Sequence, residues 1–410
     1  MSFDLALSGI NAANTDLNVT SNNLANVSTT GFKESRAQFV DLFAQTQEGV
    51  SKTAVGNGAQ VADVAQQFGQ GNITSTGNNL DLALSGSGFF IVSNSGGLNY
   101  TRNGAFQVDQ KGYLVTSSGE QVQGYAPLAN GTFNTGGLTS LQLTTAESTP
   151  QATTTADMSL NLPSNATAPA NSPLNPADPS TYTNTTSLTV YDSLGAAHTA
   201  QLYFSKQATP ANTWNANLYV DGNAVSPTPQ ALTFSNTGTL TSPANGQVNF
   251  GPYTPTSTGA ATMNMTFNFA QATQDGDTFG VSSVSQDGYT TGSLTGINIS
   301  STGVVQANFT NGQSKTLGQV ALANFADPQG LQQEGNTQWQ QTFDSGAAVN
   351  GVAGGSGFGT IQSGSLESSN VDMTTQLVNM ITAERAFQAN AQMISATDQV
   401  TQSIINIPNG

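Results

Sequence analysis

The side chains able to do chemistry are few: the chain has one histidine, His198, and no cysteine. A lone imidazole can serve as a general base, but here there is no thiol to activate and no second histidine to share a metal. It follows the Asp192–Gly195 turn, a position that predicts a strand-edge residue rather than a catalytic one. Asp275-Gly276-Asp277 resembles part of a calcium loop. The full run of alternating Asp and Asn ligands with a closing Glu is missing, so a plain turn is expected. Paired carboxylates could cleave a glycosidic bond. Asp109, Asp192, Asp221 and Asp287 all stand in turn contexts, where Asp is favoured because its side chain bonds the nearby backbone. The Gly-rich runs at 86–88 and 354–359 lack the lysine of a phosphate loop. Asn-x-Ser/Thr triplets such as Asn26-Val27-Ser28 are what chance gives where Asn, Ser and Thr abound. The expectation is no enzyme, with no catalytic, cofactor-binding or metal-binding residues.

Composition narrows the partners. Charged residues are 8% of the chain, against roughly 25% in ordinary soluble domains. The 24 Asp and Glu outnumber the 8 Lys and Arg, for a net charge of −16. Between Gly112 and Glu384 the only cations are Lys206 and Lys315. Nucleic-acid binding needs clustered cations to displace counterions from phosphates, and an acidic surface is repelled by anionic membranes. Neither partner is therefore expected. No run approaches the ~18 apolar residues that span a bilayer, and residues 1–25 lack the pattern of a cleavable signal peptide.

The positioning elements lie at the two ends. Phe3, Ile10, Leu17 and Leu24 recur every seven residues, with Ala6, Ala13, Thr20 and Val27 on the companion positions. Near the other end Leu366, Met373, Met380, Phe387 and Ile394 keep the same period. Their second stripe is imperfect, since Leu377, Ala391 and Ile405 alternate with Glu384 and Asp398. A seven-residue apolar period marks a helix seam that seeks a partner helix. Each seam's simplest partner is the other. The flanks are Asn, Gln, Thr, Ser and Ala rather than Glu and Lys. Such flanks can pack against further copies without desolvating charge. The N-terminal helix is expected over about residues 3–27, stopped by Asn26, Ser28, Thr29, Thr30 and Gly31. Residues 31–71 read as a semi-extended connector with Phe39, Val40, Leu42 and Phe43 as a small apolar anchor.

Between the helices the pattern is β. Leu80, Leu82 and Leu84 alternate with smaller residues, and Asn103-Gly104, Lys111-Gly112, Ser118-Gly119, Asp221-Gly222, Thr302-Gly303 and Asn311-Gly312 mark reversals. The expected fold is mixed. Residues 1–30 and 364–410 form a helical, coiled-coil-like inner domain. Residues 72–146 and 291–363 form a discontinuous β-domain, and 147–290 form an inserted outer β-domain, in nested connectivity. The insert opens with a loop rich in Pro and Asn, containing Pro163, Pro169, Pro173, Pro176 and Pro179, before its strands begin near Ser187.

The ends also carry a resemblance. Asn11 to Ser35, with Asn22, Asn23, Leu24, Ala25 and Asn26 leading to Thr30, Gly31, Phe32 and Lys33, resembles the N-terminal signature of the bacterial flagellar rod and hook axial proteins. Gly364 to Val400 resembles the matching C-terminal signature, and Leu294 to Leu331 is similar to the hook members of that family. The resemblance implies a subunit of a curved, flexible tube, the hook, which transmits motor torque to the filament and carries exported subunits through its channel. It implies self-association and contacts with hook cap, distal rod and hook–filament junction proteins. It also implies passage through the flagellar export apparatus to an extracellular place without a cleaved signal. A distal rod protein shares both end motifs but lacks a large insert. A secreted β-rich adhesin or glycan hydrolase would explain the Ser/Thr/Asn-rich centre, and leaves the terminal seams unexplained.

Overall fold

The computed structural model describes residues 2–42, 56–94, 96–143, 147–226 and 228–405. The protein is mostly β, with a helix at each end: α1, Ser2–Ala25, and α2, Met373–Ile405. The chain divides into two compact units. One comprises residues 1–145, 296–308 and 314–410, and the other 146–295 and 309–313.

In the first unit the two helices pack against each other. Gly9 lies against Asn390, and Asn23 bonds Gln376, so the pair runs antiparallel. After α1 the chain forms a hairpin, Ser35–Asp41 against Ala59–Gln66. The described part of the connector expected over 31–71 thus contains a two-stranded ribbon. Its supposed anchor does not anchor: Phe39, Val40 and Leu42 are exposed, and Phe43 falls outside the described residues. The hairpin packs against α1 and buries Ala65 and Gln66 near its base, while the far end that carries these residues stays uncovered among the described residues.

Beyond it, the described residues form a 12-stranded sheet whose main path runs Leu294–Ile299, Val304–Phe309, Ser314–Asn324, Gln121–Tyr125, Phe89–Asn94, Gly97–Thr101, Gln338–Gln340, Gln332–Gly335. Early and late parts of the chain therefore interleave. Alternate side chains leave the sheet on opposite faces. Phe90 and Val92 enter a core with Leu82, Leu84, Val320 and Leu322, while Phe89 and Ile91 enter another with Tyr100, Phe325 and Trp339.

The second unit is two sheets around one core. One sheet orders Asn184–Tyr191, Ala197–Lys206, Thr213–Val220, Gln230–Phe234 and Leu240–Ser242. The other orders Gln247–Tyr253, Met263–Asn268, Thr155–Asn161 and Gly280–Gln286. Trp214, Ala216, Leu218 and Val220 fill the core from one strand, and Trp214 donates its indole N–H to Gln274 Oε1 at 3.1 Å. The strand Thr155–Asn161 lies inside the stretch expected as an irregular opening. Its alternating Ala156, Met158 and Leu160 are buried, a period-two signal obscured by the prolines that follow.

Candidate assembly core

The seam between α1 and α2 is built from small residues. Ala6, Ala13 and Thr20 are buried on α1; Gln376 and Ala383 are buried on α2, with Asn390 and Thr397 half-buried further along the same line. Gly9 permits the closest approach, since a Cβ there would stand 2.7 Å from the Asn390 amide. The larger heptad residues take other places. Ile10, Leu17, Leu24, Met380 and Ile394 are half-buried at the seam's margin, and Phe3, Met373, Leu377 and Phe387 are exposed. Leu366 is not helical at all: it lies in the strand Ser365–Glu367, paired with Ile73–Ser75. α2 begins only at Met373, where Asp372 Oδ1 accepts the Thr375 N–H at 2.7 Å, an N-cap. The helix therefore has 33 residues, not the forty of a seam starting at 366. Val27 falls just past α1 and is half-buried, and Ile405 closes α2.

Next to the seam the N-terminal signature becomes a polar knot. Asn23 Nδ2 donates to the Ser35 carbonyl at 2.7 Å, and the Ser35 N–H donates back to Asn23 Oδ1 at 2.9 Å. Asn23 Nδ2 also reaches Gln376 Oε1 at 3.3 Å, and Gln376 Nε2 donates to Glu34 Oε1 at 2.8 Å. Asn26 caps the end of α1, its Nδ2 donating to the Asn22 carbonyl at 3.0 Å and its Oδ1 accepting from Thr29. Leu24 and Thr30 are half-buried and Ala25 exposed. Gly31 has φ of 70°, and a Cβ would meet Asn103 N at 2.5 Å, so no other residue fits.

Phe32 leads to Lys33, whose side chain is wholly buried against an equally buried Glu367. Lys33 Nζ donates to Glu367 Oε1 at 2.6 Å and to the Gly69 carbonyl at 2.7 Å. Arg102 donates to Glu367 Oε2 at 3.3 Å and lies over the Phe89 ring at 5.3 Å. Gly71 N–H donates to Glu367 Oε1, and Gly31 N–H to the Glu367 carbonyl. One carboxylate thus gathers segments from both ends and the β-body. Burial pushes the pKa of Lys33 and of Arg102 down, and Glu367 beside them pushes each back up. Sequence reading flagged Lys33 only through the resemblance. Nothing local marks Glu367 or Arg102 as its partners.

The second unit has its own polar centre. His198 is the second residue of the strand Ala197–Lys206, just after the turn, and is buried there; it pairs with Val190 on one side, and the register with the strand on the other side begins at Ala200. Its Nδ1 lies 2.6 Å from Asp221 Oδ2 and its Nε2 3.2 Å from Asp192 Oδ2. Both ring nitrogens face carboxylate oxygens, an arrangement that favours the doubly protonated imidazolium, which alone can donate from both. Burial pushes its pKa down, but the bonds to Asp221 and Asp192 outweigh that and leave it raised. Burial likewise pushes Asp192 up, yet hydrogen bonds from Thr258, the Ala196 N–H, His198 and the Leu194 N–H hold it at about 2. Asp275-Gly276-Asp277 forms a bend. Among the described residues no group of three His, Cys, Asp or Glu is placed to hold a metal.

These polar groups fasten distant chain segments to one another. Comparison with known proteins gives the family. Residues 3–33 match the flagella basal body rod protein family and 83–169 the flagellar hook protein FlgE/F/G D1 domain. Residues 161–289 match the flagellar basal body protein FlaE D2 domain, and 362–407 the flagellar basal body rod FlgEFG protein C-terminal family. The chain is 38% identical to the flagellar hook protein FlgE of Salmonella typhimurium over 99% of its length and 100% of that protein. It is 32% identical to the FlgE of Borreliella burgdorferi over 98% of each. Helicobacter pylori flagellar hook protein FlgE2, at 15% identity, shares the fold with a TM-score of 0.53 over 72% of this chain and 100% of that one. The chain belongs to the flagellar hook protein family, whose members are structural proteins of the flagellum and not enzymes.

Proposed function

We propose that this chain is the repeating subunit of the flagellar hook, polymerising into a curved flexible tube that passes motor torque to the filament and carries exported subunits through its channel. On this reading the terminal regions, 1–30 and 364–410, form the inner, coiled-coil-like wall. The β-regions lie outside, with 147–290 nested within 72–146 and 291–363. The partners are further copies, hook cap, distal rod and hook–filament junction proteins and the export apparatus, and the assembled subunit stands outside the cell.

The observation that carries the reading is the surface of α2. Met373, Val378, Ile381 and Val400 are each at least half exposed, at 50%, 58%, 50% and 59%, with Leu377 and Met393 beside them. α1 adds Phe3, Leu5 and Leu7. So much apolar surface on a helix pair is more than a lone subunit can leave in water, and other copies would cover it. Outside the helices, small uncharged polar side chains favour contacts that slide between near-equal registers, because no strong ion pair fixes one.

Electron microscopy of the purified full chain under salting-out conditions tests this. Curved tubes are expected. Straight rods would point to a rod subunit, and persistent monomers would overturn the reading.

A further inference from the structure

The outward stripe of α2 contains one charge that its surroundings leave unanswered. Val378 and Ile381 lie two turns and one turn before Arg385 on the same helical face. Arg385 follows buried Ala383 by two residues, about 200° around the helix, so it points away from α1. Among the described residues no carboxylate pairs with it. If another copy covers this apolar stripe, the guanidinium goes with it. A cation taken from water without a partner is costly, so the covering surface must supply an anion.

Such a surface exists on the other side of the helix pair. A polar hollow of about 400 Å³ is lined by Asp16, Thr20, Asn23, Glu34, Arg36, Gln376 and neighbouring residues. Asp16 occupies the seam position between Gly9 and Asn23, in register with Ala383, whose methyl offers it nothing to bond. Among the described residues no hydrogen bond or ion pair reaches its carboxylate. Asp16 and Glu34 against Arg36 leave the hollow one negative charge in excess. Asn379, Thr20 and Glu34 supply further oxygens for the five N–H donors of a guanidinium. Burial pushes the Asp16 carboxyl up, which a cation would reverse.

We propose that Arg385 of one copy enters this hollow on the next copy and pairs with its Asp16, fixing the register of neighbouring subunits. The inference rests on the polymer reading above and adds to it a specific intersubunit contact.

The test uses full-length chain and sedimentation of polymer. Asp16→Arg and Arg385→Asp should each raise the critical concentration at least tenfold, as close interfacial charge pairs do when one sign is reversed. The double variant, D16R/R385D, should return to within about threefold of wild type. Asp16→Asn and Arg385→Gln, which disturb the monomer least, should raise it in the same direction. Helical circular dichroism of each monomer should match wild type. Singles that assemble normally, or a double variant no better than the singles, overturn the pairing. If wild type polymerises and Ile381→Asp blocks it while the charge variants do nothing, the pairing falls and the polymer reading stands. A wild-type chain that never polymerises overturns both.

Discussion

Two charge clusters set the residue-scale behaviour, and they differ in kind: the one at Glu367 is buried throughout, whereas the one at His198 has an exposed member, Asp221. At Glu367 one buried anion faces two buried cations, so the cluster keeps a net positive charge. Glu367→Gln removes the anion and leaves Lys33 and Arg102 facing each other in the interior. Breaking a buried pair in this way costs about 3–5 kcal/mol. The expected result is a lower urea midpoint for the first unit with the second unit's transition unchanged, read by the separate fluorescence of Trp339 and Trp214. At His198 the cation is the titrating group. Its folded pKa lies above its unfolded value near 6.5, so its contribution is full below that value and is lost as pH rises through the folded pKa. Asp192 works in the opposite sense, its contribution present above about 3.9 and lost as pH falls toward about 2. The second unit should therefore be most stable between roughly pH 4 and 6.5. His198→Gln should flatten the decline on the alkaline side. As the chain has one histidine, its ring proton resonances report this pKa without ambiguity. A midpoint at or below 6.5 would contradict the clamp.

At the scale of elements, the helices carry two stripes with two purposes. Ala383 faces α1 and is buried, whereas Ile381 faces outward and is half exposed. Ile381→Asp should change monomer stability by no more than about 0.5 kcal/mol, as exposed substitutions do, and should abolish polymer. Ala383→Asp buries a carboxylate with no partner and should separate α2 from α1 in the monomer itself, costing several kcal/mol. Thermal unfolding beside a sedimentation assay distinguishes them; equal effects on both readouts would merge the two stripes into one. The seven-residue period was legible in the sequence, but which member of it is buried was not. Hydrophobicity points to Phe3 and Met373, while close approach selects Ala6, Ala13, Gly9 and Ala383, which carry little hydrophobic signal. The strands of the second unit were legible wherever apolar residues alternate, as at Trp214 to Val220. The two charge clusters were not, because Lys33 and Glu367 stand 334 residues apart and His198 meets Asp221 only through strand register.

For the whole molecule, the net charge of −16 opposes any gathering of copies. The opposition is long-ranged at low salt, where the screening length is about 30 Å at 0.01 M, and falls to about 10 Å at 0.1 M. Raising NaCl from 10 to 100 mM should therefore lower the critical concentration for polymer, as measured by light scattering. Buried pairs are screened far less, so an Asp16–Arg385 contact survives that change. A critical concentration that climbs steeply with salt would mean that exposed attractions, not apolar contacts, hold the copies together.

The place of Glu367 has a mechanical meaning. Lys33 comes soon after α1, and Glu367 shortly before α2. Tension drawn along either helix meets these same three charges, beside the backbone and the neighbouring hydrogen bonds, on its way to the β-body. The two ends of the polypeptide are thereby strained side by side instead of one after the other, so a tug on one is shared by its companion. On the hook reading proposed above, that arrangement spares the β-ribbon of Ser35–Asp41 and Ala59–Gln66 from bearing the load by itself.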